Sequence, residues 1–150
     1  MNATSASRPI LFAFDGSDLA EHAIEVAGGL LDTASPAIVL TVWRPFDIGF
    51  IPSAALSIDA ARITEVWQAA ETTAAEGAAL ATAAGFEAVG LTVESSPIWS
   101  GIGQVAEDRD ARLIVLGSHG RKGLAGPLVG RVAGTVAAHS QRPVLIVHRG

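Results

Sequence analysis

The chain is predicted to fold as an α/β protein with a parallel sheet covered by helices on both faces. Near-continuous apolar runs bounded by turn residues mark strands buried on both sides, and helical apolar periodicity fills the segments between them. No linker or internal repeat interrupts the 150 residues. That length suits a single domain over 1–150, with a disordered start at 1–8.

The first strand is Pro9 to Asp15, PILFAFD. Gly16 and Ser17 make the turn, Ser17 or Asp18 is placed to cap, and Leu19, Ala23, Ala27, Leu30 and Leu31 repeat at helical spacing. Ala37 to Trp43, AIVLTVW, is the second strand. Arg44 to Ser57 carries Pro45, Gly49 and Pro52 among Phe46, Ile48, Phe50 and Ile51, and reads as a loop with apolar cover, either a lid or a packed connection. Ile58 to Ala84 is the longest helix, with Ile63, Val66, Trp67, Ala70, Ala74, Gly77 and Ala81 along one face and Gly85 ending it. Phe86 to Glu94 is a third strand, and Trp99 to Asp108 a shorter helix opened near Ser96 and Pro97. Leu113 to Leu116 is the fourth strand, Gly117 to about Val129 a glycine-rich connection, Arg131 to Ser140 a helix and Pro143 to Val147 the last strand. Strands alternating with helices imply right-handed crossovers, and ligands of such sheets bind outside the strands' carboxyl ends where the strand order reverses.

Composition narrows the chemistry. With 49% hydrophobic and 17% charged residues the chain is too apolar for disorder, and no apolar run approaches the roughly 20 residues that span a bilayer. Met1 to Pro9 is polar and lacks a signal-type core, so the expected location is the cytoplasm, with no membrane partner. There is no cysteine, which excludes disulfides, thiolate zinc sites and cysteine nucleophiles. A net charge of −5 argues against nucleic acid as a partner, because such binding neutralises many phosphates. Any anion site must be local.

One segment has the character of such a site. From Gly117 to Gly130 the chain reads GSHGRKGLAGPLVG, five glycines in fourteen positions between a buried strand and a helix. Glycines let the backbone approach a ligand closely and turn amides toward one point, and the following helix adds its free N–H groups and positive dipole end. Arg121, Lys122 and Arg131 supply positive charge there, so phosphate is the expected guest.

The spacing Gly117, two residues, Gly120, nine residues, Gly130, set in LIVLGSHGR and followed by RPVLIVH, resembles the nucleotide-binding signature of the universal stress protein family. The opening ILFAFDGSDLAEHAIEVA is similar to that family's first strand and helix. The resemblance implies an adenine nucleotide alpha hydrolase-like fold of sheet order 3-2-1-4-5. It implies ATP or another adenine nucleotide as ligand, with Mg2+ accompanying the phosphates, and a stress-response dimer that is regulatory or interaction-based, pairs through the last strand and serves an unknown protein partner. Asp15, with Gly16 beside it, would then face the adenine or ribose, and Val42 would offer backbone groups to the base. Gly117, Ser118, His119, Gly120, Arg121, Gly130, Arg131 and Val132 would surround the phosphates. Arg131 departs from the family, which usually has Ser or Thr directly after the third glycine. An arginine there either pairs with phosphate or fills its place.

Two alternatives follow: a dimeric interaction module of the same fold without nucleotide, and a slow ATPase, for which only His119 and the basic loop residues speak. No Walker A motif occurs, and Gly101-Ile-Gly103-Gln-Val-Ala106 lies well past a strand, with no acidic residue at the distance a dinucleotide site needs. His22, His139 and His148 lack metal-ligand spacing. Trp43, Trp67 and Trp99 fall on apolar faces or strand ends and read as core, while Glu107, Asp108 and Asp110 read as a solvated helix end.

Overall fold

The computed structural model describes residues 8–45, 60–120 and 129–149. The loop expected at 44–57, apart from Arg44 and Pro45, lies outside them, as do the central part of the glycine-rich connection and residues 1–7 of the expected disordered start. Arg8 is described, and its Nη2 donates to Asp110 Oδ1 at 3.1 Å.

Nine elements follow in the order β1 (Ile10–Ala13), α1 (Asp18–Leu30), β2 (Pro36–Trp43), α2 (Ala60–Ala83), β3 (Glu87–Glu94), α3 (Ile98–Asp108), β4 (Leu113–Gly117), α4 (Arg131–His139) and β5 (Val144–Val147). The strands form one sheet of order β3-β2-β1-β4-β5, parallel at every pairing. This is the predicted order.

Alternation along the central strands divides the interior in two. Ile10, Phe12, Phe14, Val39 and Val115 face Ala20, Ala23, Ile24 and Ala27 of α1 and Ala81 of α2. Leu11, Ile38, Leu40, Ile114 and Leu116 face Ile102, Val105 and Ala106 of α3 and Ala133 and Val136 of α4. Because β1 and β4 are buried on both faces, their sequences are continuously apolar, which is what made them legible. Helices α1 and α2 therefore cover one face and α3 and α4 the other. The chain winds outward from β1 in one direction and from β4 in the other, so the order reverses between these two strands.

The longest helix lies close to the sheet because its buried stripe is small: Val66, Ala70, Ala74, Gly77 and Ala81. A Cβ placed on Gly77 would stand 2.6 Å from both Phe14 Cδ1 and Val39 Cγ1. Gly90 of β3 sits under the same helix, its Cβ position 3.0 Å from the Ala74 carbonyl oxygen. Gly85 adopts φ +109, a conformation in which a side chain is strained, and so ends α2. Two expectations fail here. Trp67 follows the stripe residue Val66 by about 100° of helical rotation and is 43% exposed, so it is not a core residue. Leu30, beyond the last buried position of α1 at Ala27, is 68% exposed.

The acidic end of α3 is exposed, as expected of a solvated helix end, and is also held by an arginine. Arg142 reaches it from the turn before β5, donating from Nε to Glu107 Oε1 at 3.1 Å and from Nη2 to Glu107 Oε2 at 2.8 Å. Its Nη1 donates to Asp110 Oδ1 at 2.7 Å and to the Ala111 carbonyl at 3.2 Å. The fork geometry of the guanidinium makes the Glu107 contact bidentate. These hydrogen bonds hold the Glu107 and Asp110 carboxyls below their ordinary range, and the charge of Arg8 adds to the effect at Asp110. Asp108, between them, is exposed and accepts from Gln104 Nε2 at 2.9 Å.

Two outcomes are expected from this packing. Gly77→Ala lowers stability in urea unfolding, because overpacking of about 1–3 kcal/mol outweighs the roughly 1 kcal/mol that alanine gains over glycine in a helix. Gly29→Ala, where a Cβ meets nothing within 4 Å, raises it. Carboxyls whose folded values are depressed contribute stability that is complete above their unfolded values and is lost as pH falls through the folded ones. The melting temperature of the wild type therefore exceeds that of Arg142→Gln most above about pH 5, and the gap narrows toward about pH 3. A gap that stays constant across this range would remove Glu107 and Asp110 from the account.

Candidate functional site

β1 and β4 pair from Ile10↔Leu113 to Phe12↔Val115 and then part, leaving a crevice at their carboxyl ends. On the β1 side the chain stays tied to β2: Phe14 N–H donates to the Leu40 carbonyl at 2.9 Å, and Thr41 Oγ1 donates to the Phe14 carbonyl at 2.9 Å. Asp15 follows at the lip. Its Oδ1 accepts from Ser17 N–H at 3.0 Å across a turn in which Gly16 takes φ +81. Ser17 then caps α1, its Oγ accepting from Ala20 N–H at 3.2 Å.

On the β4 side Gly117 ends the strand against the first turn of α1, its Cβ position 3.0 Å from Leu19 Cγ. Ser118 is buried and joins three segments. Its N–H donates to the Val147 carbonyl at 2.8 Å, its carbonyl accepts from Gly130 N–H at 2.6 Å, and its Oγ lies 3.1 Å from His119 Nδ1. Gly120 arrives opposite Asp15: a Cβ there would collide with Asp15 Oδ2. Gly130 closes the circuit, since a Cβ on it would lie 2.8 Å from the Ser118 carbonyl oxygen. Without side chains at 120 and 130, the Asp15 carboxylate comes up against the Gly120 backbone, and the start of α4 against the backbone of Ser118.

Asp15, Gly16, Gly117, Ser118, His119, Gly120 and Gly130 thus converge, and Arg131 and Val132, both exposed, open α4 beside them. Val42 stands one strand away. It lies two residues past Leu40, the last β2 residue in register with β1, and pairs on its other flank with Val93. Arg121, with Lys122, lies outside the described residues. Ser118 contributes by position, since its backbone and hydroxyl groups have protein partners.

The two helices that start here differ in charge. α1 begins with a serine cap and has Asp18 and Glu21 in its first turn, so its positive end is already served. α4 has Gly130 at the cap with no side-chain hydrogen bond and no acidic residue in its first turn. Its first N–H groups have no intrahelical acceptors, and the residue carried there is Arg131. The crevice is consequently acceptor-rich at Asp15 and suited to an anion on the α4 side.

Two positioning residues escaped the sequence reading. Thr41 fixes the end of β1 through its hydroxyl, and the signal was a single hydroxyl inside AIVLTVW. Leu19 meets Gly117, which no sequence pattern announces. The Gly101 to Ala106 segment lies within α3, where Gly101 packs against Ser95 with a Cβ position 2.6 Å from Ser95 Cβ, so it forms no phosphate turn. Among the described residues no group of His, Asp and Glu is arranged to hold a metal ion, and no helix is long and apolar enough to cross a membrane.

Comparison with known proteins agrees with this architecture. A universal stress protein solved in complex with cAMP is 26% identical, matches over 97% of this chain and 99% of its own, and superposes with a TM-score of 0.66. A universal stress protein family member from Burkholderia pseudomallei is also 26% identical, over 95% of this chain and 97% of its own, with a TM-score of 0.63. The universal stress protein from Archaeoglobus fulgidus in complex with dAMP shares the fold at 22% identity, covering 94% and 98% of the two chains with a TM-score of 0.66. No curated protein matches the chain at a significant level. The sheet order and helix placement are those of the adenine nucleotide alpha hydrolase-like fold. The model of the universal stress protein family matches residues 6–148, and the chain belongs to that family.

Proposed function

We propose that this protein binds an adenine nucleotide, ATP first among them, in the crevice between β1 and β4, and that occupancy regulates its contacts as a cytoplasmic homodimer in the stress response. The observation that carries the reading is the meeting of Asp15 and Gly120 across the crevice beside the uncapped, acid-free start of α4. A nucleotide has the two matching parts, a base and sugar with hydrogen-bond donors and a phosphate chain with negative charge. Asp15 and the backbone near Val42 serve the first; Gly117, Gly120, Gly130 and the first turn of α4 serve the second, with Arg131 and Arg121 adding charge. The cAMP complex of a relative supports the ligand class. Any Mg2+ enters on the phosphates of the ligand. Dimerisation is assigned to β5, which is the outer strand next to β4 and pairs with no other strand among the described residues. The reading is one of binding rather than turnover.

Titration calorimetry tests it. Wild type is expected to bind ATP and AMP saturably, and Gly130→Ala to bind at least about tenfold more weakly, because its Cβ pushes the start of α4 off Ser118. No heat with either ligand would leave a nucleotide-free interaction module as the function. Arg131→Ser is expected to weaken ATP by about tenfold, the scale of one charge-assisted hydrogen bond, and AMP by less. Tighter ATP binding by that variant would show that the arginine obstructs the phosphate position.

A further inference from the structure

The start of α4 is fixed through a chain of bonds that leads away from the crevice to the opposite end of the sheet. Gly130 N–H is held by the Ser118 carbonyl at 2.6 Å, and Ser118 N–H by the Val147 carbonyl at 2.8 Å. Val147 is the last residue of β5, a strand of four residues that among the described residues pairs with β4 alone, in register from Ile114↔Val144 to Gly117↔Val147. A strand so short has few bonds of its own to set its position. Its beginning is fastened from outside: Ile114 N–H donates to the Pro143 carbonyl at 2.9 Å, and Arg142 grips Glu107, Asp110 and the Ala111 carbonyl. The Ser140 hydroxyl secures the same turn, accepting from Arg142 N–H and donating to the Arg142 carbonyl, each at 2.9 Å. Arg142 is thus the meeting point of α3, the approach to β4 and the turn that links α4 to β5. Its side chain is only 17% exposed, so the grip is well packed.

We infer that Arg142 is a positioning residue for the crevice: by fastening the turn between α4 and β5 to the end of α3, it sets where β5 holds Ser118 and hence where α4 begins. The inference rests on the nucleotide reading for its functional consequence but not for its structural one. Loosening Arg142 lets β5 shift along β4, and the Ser118 to Gly130 bond at the other end shifts with it. The ligand's phosphate side then meets a start of α4 that is no longer fixed.

The test uses the full chain at neutral pH and two readouts. Amide exchange of Ser118, Gly130 and the β5 residues is followed in wild type, Arg142→Gln, Arg142→Lys and Ile24→Val. The last variant removes one methylene from the core under α1; Val147 belongs to the same cluster, but every hydrogen bond of the proposed chain is left in place, so it controls for general destabilisation. Arg142→Gln is expected to speed exchange at Ser118 and Gly130 relative to Ile24→Val of matched stability, and Arg142→Lys to restore only part of the protection, because an ammonium cannot make the bidentate contact. Equal exchange at those two amides in Arg142→Gln and the control overturns the inference, whatever the ligand. The second readout is ATP affinity by calorimetry, expected to fall about two- to thirtyfold in Arg142→Gln and to stay near wild type in Ile24→Val. A wild type that binds ATP together with an Arg142→Gln that binds equally well overturns the link to the crevice. A wild type that does not bind removes the nucleotide reading alone, and the exchange result still decides whether Arg142 positions α4.

Discussion

The parallel pairing of β1 with β4 is the constraint on which the rest depends. These two strands are not consecutive, and both are covered on both faces, so Ile10, Leu11, Ile114 and Val115 have no measurable exposure. Helices on opposite faces leave the sheet in opposite directions from this pair. A crevice at its carboxyl end is then a consequence of connectivity rather than of any loop sequence. What the loops add is access: the glycines at 120 and 130 remove the side chains that would otherwise keep the two lips and the helix start apart.

Strands β1, β2 and β4 were legible because burial on both faces leaves continuous apolar runs in the sequence. Their order was legible only through family resemblance, since periodicity says nothing of which strand neighbours which. The buried stripe of α2 was readable at Val66, Ala70, Ala74, Gly77 and Ala81, yet Trp67 was misassigned because a large apolar residue next to a stripe looks like part of it. Of the candidate site, the glycine-rich segment stood out by composition and spacing, and Asp15 only through the family resemblance. The part played by Ser118 was not, because it works through its main chain, and backbone hydrogen bonds to Val147 and Gly130 leave no mark on residue choice. Arg142 was missed for a related reason: its partners are 35 and 32 residues away, and charge at a helix end usually means only solvation.

Charge is distributed unequally over the two halves of the crevice. The α1 side has its cap and two carboxylates, and the α4 side has neither, though both helices begin at the same edge of the sheet. In a chain of net charge −5 this difference creates a local field that overall composition hides. An acidic protein can therefore present one small region suited to an anion.

The three tryptophans have an optical consequence. The chain has no tyrosine, so its ultraviolet emission comes from indoles alone. They occupy three unlike surroundings: Trp43 is half-buried where β2 ends, Trp67 is open to solvent on α2, and Trp99 lies beside the His139 imidazole with ring centroids 4.7 Å apart and planes tilted by 31°. Water shifts the emission of an exposed indole to longer wavelength. Trp67 therefore contributes a long-wavelength component while the protein is intact. Long-wavelength emission, ordinarily taken as the sign of an unfolded chain, is in this molecule partly a property of the folded one.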